Sequence, residues 1–177
     1  MLKAIKTIKV TPVYENDFVS VYDNDVLFPS GKKGSYFRTQ WKAPYGVAIL
    51  PIYMGQALLI NTYRYAELSH SLEVPQGFGT EGSTPVEDAR RELSEEIGAK
   101  GEDFLPIGKT GKAFETYLFQ TTLPEKFSPA FNNVEDTESI SGVKLFSLNT
   151  LKNTSFEDLG IFDAVTQICL LKFINHV

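Results

Sequence analysis

Hydrophobic and polar positions change period several times along the chain, and each change predicts an element. Residues 17–23 (DFVSVYD) and 35–41 (SYFRTQW) alternate in polarity on either side of the turn-forming Pro29, Ser30 and Gly31. Such alternation predicts two strands of a small antiparallel unit. From Gly46 to Tyr53 the run GVAILPIY is nearly all apolar, and Met54-Gly55 then turns the chain into QALLINTYRY. Two apolar runs joined by a two-residue turn predict a hairpin with at least one strand in the interior of a sheet. Residues 66–72 read as a loop, and strands are expected at 104–107, 114–122 and 140–147.

Beyond Pro75 the pattern becomes a glycine-rich loop, GFGTEG at 77–82, and then a helix with readable ends. Thr84, Pro85 and Glu87 occupy the N-cap, first-turn and N3 places of a capping box. Gly98 stands where a C-terminal cap is expected. A second helix is expected from about residue 160 to about residue 175 on the same periodicity argument. Strands, helix, strands, helix is an α/β (α+β) order, and it predicts a mixed sheet sandwiched by helices rather than a bundle or a β-sandwich. The 177 residues divide into an N-terminal β extension, 1–45, and a main domain, 46–177.

Within the predicted helix, residues advance about 100° each. With Glu92 at zero, Glu96 lies at about 40°, Asp88 at about -40° and Glu95 at about -60°. Val86, Ala89, Leu93 and Ile97 lie between about 60° and 140°. One face is therefore apolar and its neighbour is a cluster of carboxylates. Like charges four residues apart repel unless something cationic sits between them, and the helix holds no lysine to serve. Carboxylate oxygens suit a hard divalent ion, and Mg²⁺ commonly takes one or two of them together with waters and substrate phosphates. A solvated acidic face is the alternative.

Composition narrows the partners. The net charge is -5, from 22 acidic and 17 basic residues, and no Lys/Arg cluster offers the footprint of a long nucleic acid binder. A small anion remains a fitting partner if a metal supplies positive charge locally. Lys3, Lys6 and Lys9 interrupt the apolar N-terminus, so it lacks the h-region of a signal peptide. No apolar run is long enough to span a bilayer, and the expected location is cytoplasmic, with no membrane partner. The single cysteine, Cys169, lies in an apolar segment and is expected to be buried and inert. His70 is expected as a surface residue of the 66–72 loop. Tyr36, Phe37 and Trp41 suit a base-stacking or dimer surface, although buried core is the commoner fate of aromatics.

Gly77, followed in register by RELSEEIGA at 91–99, resembles the Nudix box, Gly-x5-Glu-x7-Arg-Glu-U-x-Glu-Glu-x-Gly-U, where U is bulky and apolar. Two positions depart from it: Ser83 stands at the first glutamate, and Ala99 at the last apolar place. The resemblance implies a Nudix-type α/β/α sandwich around a mixed central sheet, with the small N-terminal antiparallel unit beside it. It further implies Mg²⁺, or Mn²⁺, held by Glu92, Glu96 and Glu95, with Arg91 as a further catalytic-site residue. The Ser83 departure implies that Arg91 lacks its usual partner, unless Glu81 compensates, and that activity is reduced or demands more metal.

GVAIL at 46–50, LLINTYRY at 58–65 and EVPQG at 73–77 are similar to the ADP-ribose pyrophosphatase branch of that family. By this resemblance Arg64 would contact phosphate or a terminal sugar, Glu73 would face a ribose, and the Gln76 carbonyl would join the metal shell. A surface salt bridge for Arg64 and a turn-stabilising acceptor for Glu73 are the structural alternatives. Glu138 is the choice for a general base, with Glu135, its neighbour Asp136, or a loop without a role beside it. A Pro-Gly-Phe segment of the branch is absent, and GKTGKAFETY stands there instead, so a nucleoside diphosphate sugar such as GDP-mannose rivals ADP-ribose. The implied reaction is hydrolysis of a pyrophosphate bond in a small nucleotide conjugate, giving a nucleoside monophosphate and a sugar phosphate, by a homodimer. The alternative is a catalytically weakened nucleotide-binding or regulatory module.

Overall fold

The alternation at the N-terminus becomes an antiparallel sheet of four strands: β1 (Lys6–Lys9), β2 (Pro12–Glu15), β3 (Val19–Leu27) and β4 (Lys33–Trp41). The computed structural model describes residues 4–129 and 139–176, in two units that divide between Pro44 and Tyr45. In the first unit, β3 pairs along its length with β4, from Val19↔Trp41 to Leu27↔Lys33. Its other edge carries β1 and β2 in succession. The step between them is held by Asp23 N–H donating to Thr11 O at 2.9 Å and by Thr11 N–H donating to the Asn24 side chain at 3.2 Å. The sequence pattern predicts β3 and β4 but neither β1 nor β2, whose four residues each are too few to show a period. Tyr36, Phe37 and Trp41 are exposed in this chain, as are Val13 and Phe18. Of the two fates open to the three aromatics, buried core is the one the structure does not bear out.

The second unit is built on a sheet of seven strands. These are β5 (Gly46–Tyr53), β6 (Gln56–Arg64), β7 (Ser69–Glu73), β8 (Gln76–Phe78), β9 (Leu105–Thr110), β10 (Thr116–Thr122) and β11 (Ile140–Phe146). β5 and β6 form the expected hairpin. Met54 and Gly55 both take positive φ, 49° and 74°, as a two-residue type I′ connection requires. Their direct pairing covers Ile52↔Ala57 and Tyr53↔Gln56. Farther from the turn, β7 pairs with β6 and β8 with β5. The corner Val74-Pro75 is fixed by Ile49 N–H donating to Pro75 O at 2.8 Å and by Val74 N–H donating to Thr166 Oγ1 at 3.0 Å. β10 runs parallel to β5 on its other edge, and β9 and β11 are antiparallel to β10 and β6. The segment 66–72 was expected as a loop, but most of it is β7. His70 lies on that strand, its ring edge-on to Tyr63.

Both faces of this sheet are covered, which is why β5 reads as a continuous apolar run. Val47 and Ile49 of β5, with Leu58 and Ile60 of β6, pack against Ala89, Leu93 and Ile97 of helix α1 (Pro85–Ile97). The alternate residues Ala48, Leu50, Ala57 and Leu59 pack with Leu151 of α2 (Leu148–Asn153) and with Cys169, Leu170 and Phe173 of α3 (Ala164–His176). The helix expected from about 160 begins at Ala164, and α2 is an additional short helix. Cys169 is wholly buried, and burial, followed by the Asp163 charge, pushes its thiol pKa up to about 12. Among the described residues no helix is long and apolar enough to cross a membrane.

Candidate functional site

Helix α1 begins as its sequence predicts. Thr84 is the N-cap, its hydroxyl accepting from Glu87 N–H while the Glu87 carboxylate accepts from Thr84 N–H at 2.9 Å. At the far end Gly98 takes φ 67° and donates back to the last turn, the left-handed cap that glycine adopts at least cost. The apolar face predicted from angles is the buried one. The carboxylate face is buried as well: Asp88 is 2% exposed, Glu92 7% and Glu96 3%. A solvated acidic face is thereby excluded for these three. Ionised groups withdrawn from water in this way require compensating charge or hydrogen bonds.

The first compensation is Arg91, also on α1. Its guanidinium lies 2.8 Å from Glu92 Oε1 and 2.7 Å from Glu95 Oε2, and it donates to Phe78 O at 2.9 Å. It also reaches Asp88 Oδ1 at 3.3 Å. Arg91 is thus the cation that lies between Glu92 and Glu95. Burial disfavours the guanidinium charge, but Glu92 and Glu95 outweigh it and hold the Arg91 pKa above its ordinary value. Arg91 has no glutamate at position 83, but Asp88, Glu92 and Glu95 all pair with it. Ser83 makes no contact with Arg91, and Glu81 is exposed in the turn before the helix.

Loop and helix are fitted to one another through missing β-carbons. A β-carbon on Gly77 would stand 2.2 Å from the Glu92 carboxyl, and one on Gly79 would stand 2.1 Å from the Tyr45 ring. Tyr45 joins the two segments: its hydroxyl lies 2.7 Å from Asp88 Oδ2 and 2.9 Å from Ser83 O. The single phenolic hydrogen serves the carboxylate, the shorter and charge-assisted of the two contacts. Burial first, then Asp88, pushes the Tyr45 pKa up to about 12. Burial would raise the Asp88 pKa, yet Thr80 N–H, the Tyr45 hydroxyl and Arg91 together hold it below the ordinary aspartate value. Asp88 was placed on the acidic face by sequence but given no role, since its partners Tyr45 and Thr80 come from the residue before β5 and from the loop.

A second cluster lies at the β6–β7–β8 corner. Arg64 Nε donates to Glu73 Oε1 at 2.9 Å and Arg64 Nη2 pairs with Glu73 Oε2, while Gln76 Nε2 donates to Oε2 at 2.6 Å. Glu73 is 3% exposed, whereas the Arg64 side chain is 41% exposed. Burial works against the Glu73 charge, but Arg64 and Gln76 hold its pKa below the ordinary value. This is an ion pair at the corner, so a ribose would compete with Arg64 and Gln76 for Glu73. Glu135, Asp136 and Glu138 lie outside the described residues.

The donor set at α1 suits a hard cation, since every acidic donor is an oxygen and two of them, from Glu92 and Glu96, are buried side by side on one face. Among the described residues no three acidic, His or Cys side chains enclose an ion by themselves. That arrangement fits a cation such as Mg²⁺, which completes its shell with waters and substrate phosphates. The buried Glu92 carboxylate lying against the bare Cα of Gly77 is consistent with it.

A family profile described as the NUDIX domain matches residues 42–164. An RNA pyrophosphohydrolase of Bartonella bacilliformis is 37% identical over 54 residues, which are 30% of this chain and 32% of that protein. The chain therefore spans about a third of the length of that curated relative. Among solved structures, one described as an ADP compounds hydrolase superposes with a TM-score of 0.78 at 21% identity, covering 99% of this chain and 95% of the other. A NUDIX hydrolase from Nitrosomonas europaea superposes with a TM-score of 0.60 at 17% identity, covering 76% of this chain and 90% of the other.

Proposed function

The chain belongs to the Nudix family, and from that premise we propose that it is a divalent-metal-dependent hydrolase of the diphosphate bond in a small nucleoside diphosphate conjugate. The observation that carries this reading is the pair of buried carboxylates, Glu92 and Glu96, on the helix face that closes over Gly77. A structural helix gains nothing from burying them. A site that must hold a cation against phosphate does.

Glu92 and Glu96 would hold Mg²⁺ or Mn²⁺, with Glu95 and the Gln76 carbonyl completing the set. When bound, the ion neutralises charge on the phosphoryl oxygens and lowers the pKa of an attacking water. The chain's own residues supply position. Arg91 bridges Glu92 and Glu95 and ties both to the loop through Phe78 O. Arg64, clamped flat by Glu73, presents a partly exposed guanidinium to a phosphate or terminal sugar. Such a displacement is accelerated by preorganised charge, and it asks for no covalent nucleophile. Glu138 is the proposed base that would accept the water's proton.

ADP-ribose and nucleoside diphosphate sugars are the proposed substrates, supported by similarity over 99% of this chain to a structure described as an ADP compounds hydrolase. The net charge of -5 disfavours a long nucleic acid as partner. A cytoplasmic homodimer belongs to the same reading. Its support is the apolar surface of β2 and β4, where Val13, Tyr36, Phe37 and Trp41 are exposed in the single chain. Such surface is commonly a site of association.

The deciding experiment is a product-release assay with Mg²⁺ or Mn²⁺ against ADP-ribose, GDP-mannose, UDP-glucose, a dinucleoside polyphosphate and a short 5′-triphosphorylated RNA, with Glu96→Gln as control. Turnover of a diphosphate conjugate, lost in the control, is the expected result. Turnover of the RNA alone would replace the substrate class. No turnover of any compound, with nucleotide still raising the melting temperature, would make the protein a binding module.

A further inference from the structure

We propose that Asp88 is the positioning residue for Arg91, supplying from inside the helix the carboxylate that position 83 lacks, and that a carboxylate at either position serves the same guanidinium. Its statements about turnover rest on the hydrolase reading above. Its statements about Arg91 do not.

The two oxygens of Asp88 divide their work. Oδ1 faces Arg91, lying 3.4 Å from Nε and 3.3 Å from Nη2. Oδ2 faces the loop, accepting from Thr80 N–H at 3.0 Å and from the Tyr45 hydroxyl at 2.7 Å. Asp88 is not needed to start the helix, because Thr84 and Glu87 already complete the capping box. Nor is it a packing residue, because a buried carboxylate is a poor filler of an apolar site. Its contacts instead join a rigid loop to a long and otherwise flexible side chain.

Glu92, Glu95 and Asp88 all attract the guanidinium from its own helix, but Asp88 alone of the three is also tied to Thr80 N–H and the Tyr45 hydroxyl. Asp88 and Phe78 O are the groups that fix Arg91 relative to the loop, and through Arg91 they fix the Glu92 carboxylate at 2.8 Å. Position 83 adjoins the same place. Its carbonyl shares the Tyr45 hydroxyl with Asp88, and on this proposal a glutamate there would reach the same guanidinium. Ser83 is too short to do so, and its hydroxyl lies 3.5 Å from Thr84 O instead.

The test compares wild type, Asp88→Ala, Asp88→Asn and Ser83→Glu combined with Asp88→Ala. Three quantities are read: thermal melting, the exchange rate of the Arg91 Nε–H by NMR (assigned with Arg91→Lys), and kcat and KM on whichever conjugate the wild type hydrolyses. Loss of Asp88 is expected to speed Nε–H exchange at least tenfold and to lower kcat at least thirtyfold, with KM changed less than threefold. The double variant is expected to regain both within fivefold. If Asp88→Ala does not fold, Asp88→Asn keeps the volume and one acceptor and carries the same readings. Variants that melt earlier but keep the wild-type exchange rate would overturn the proposal, as would a double variant that regains melting without regaining Arg91 protection. If the wild type hydrolyses nothing, the hydrolase reading fails, and the exchange series still decides the role of Asp88.

Discussion

Gly77 and Glu92 occupy what would otherwise be one volume: the Glu92 carboxyl carbon sits 2.2 Å from the point where a β-carbon on Gly77 would stand. Gly77 does not have a positive φ, so its substitution carries no backbone penalty. What must yield is the far end of a flexible side chain. Gly77→Ala is therefore expected to fold and to melt within about 4 °C of wild type, a shift that corresponds to roughly 1 kcal/mol in a chain of this size. Displacing a site carboxylate by about 1 Å lowers turnover on the order of a hundredfold. Melting and kcat/KM measured on the same preparation check this, and an unchanged kcat/KM would remove Glu92 from the site.

Glu73 and Arg64 give a prediction in pH. Arg64→Ala strands a buried carboxylate, which at pH 7 is expected to cost about 1–2 kcal/mol. That is the lower part of the range for hydrogen bonds to charged groups, because the Arg64 side chain is partly exposed. The folded pKa of Glu73 is lowered, so its contribution is present above the unfolded carboxylate value and is lost as pH falls through the folded one. The stability gap between wild type and variant should close below about pH 4. Urea melts at pH 7 and pH 3 measure it, and a gap of equal size at both would assign the loss to packing.

Cys169 behaves in the opposite sense. With its thiol pKa raised from 9.0 to about 12 in the fold, the neutral thiol is favoured by the native state. Its contribution is intact below the unfolded value and is lost as pH rises above it, at about 1.4 kcal/mol per pH unit. Wild type is expected to lose stability relative to Cys169→Ala between pH 9 and pH 11. A thiol reagent at pH 8 should modify the native protein only at its unfolding rate. Rapid stoichiometric labelling would mean that the C-terminal helix opens far more readily than its burial implies.

Phe37 lies on the exposed surface of β4. If that surface is where two copies meet, Phe37→Asp leaves the fold intact and converts a dimer into a monomer at micromolar concentration, because an unpaired charge in an apolar interface costs several kcal/mol. Light scattering coupled to size exclusion reads the mass directly. A wild-type monomer would assign these aromatics another partner.

What the sequence disclosed and what it hid divide by range. The capping box of Thr84 and Glu87, the Gly98 cap and the Met54-Gly55 turn depend on neighbours within a few residues, and all stand as predicted. The apolar stripe of Ala89, Leu93 and Ile97 follows from helix geometry alone. β7 did not show, because Ser69–Glu73 is polar enough to read as loop and becomes a strand only by pairing with β6. The angles placed Asp88, Glu92 and Glu96 on one face but could not reveal that β8 and the following loop close over it. Likewise the loss of glutamate at position 83 was visible and Asp88 stands only three residues before Arg91, but its tie to Tyr45 joins residues distant in sequence and adjacent in space.

The parallel pairing of β5 with β10 sets the order in which the chain can fold. It joins Gly46 to Thr116 and Ile52 to Thr122, so β5 leaves the ribosome well before the strand that completes its second edge. Closing that long loop has to precede most of the reward from burying Val47 through Leu50, which places the domain among slower folders with many non-local contacts. A nascent chain that stops short of Thr116 presents an apolar strand with one edge unpaired, and that species is the one a chaperone would hold and the one that aggregates when synthesis outruns folding.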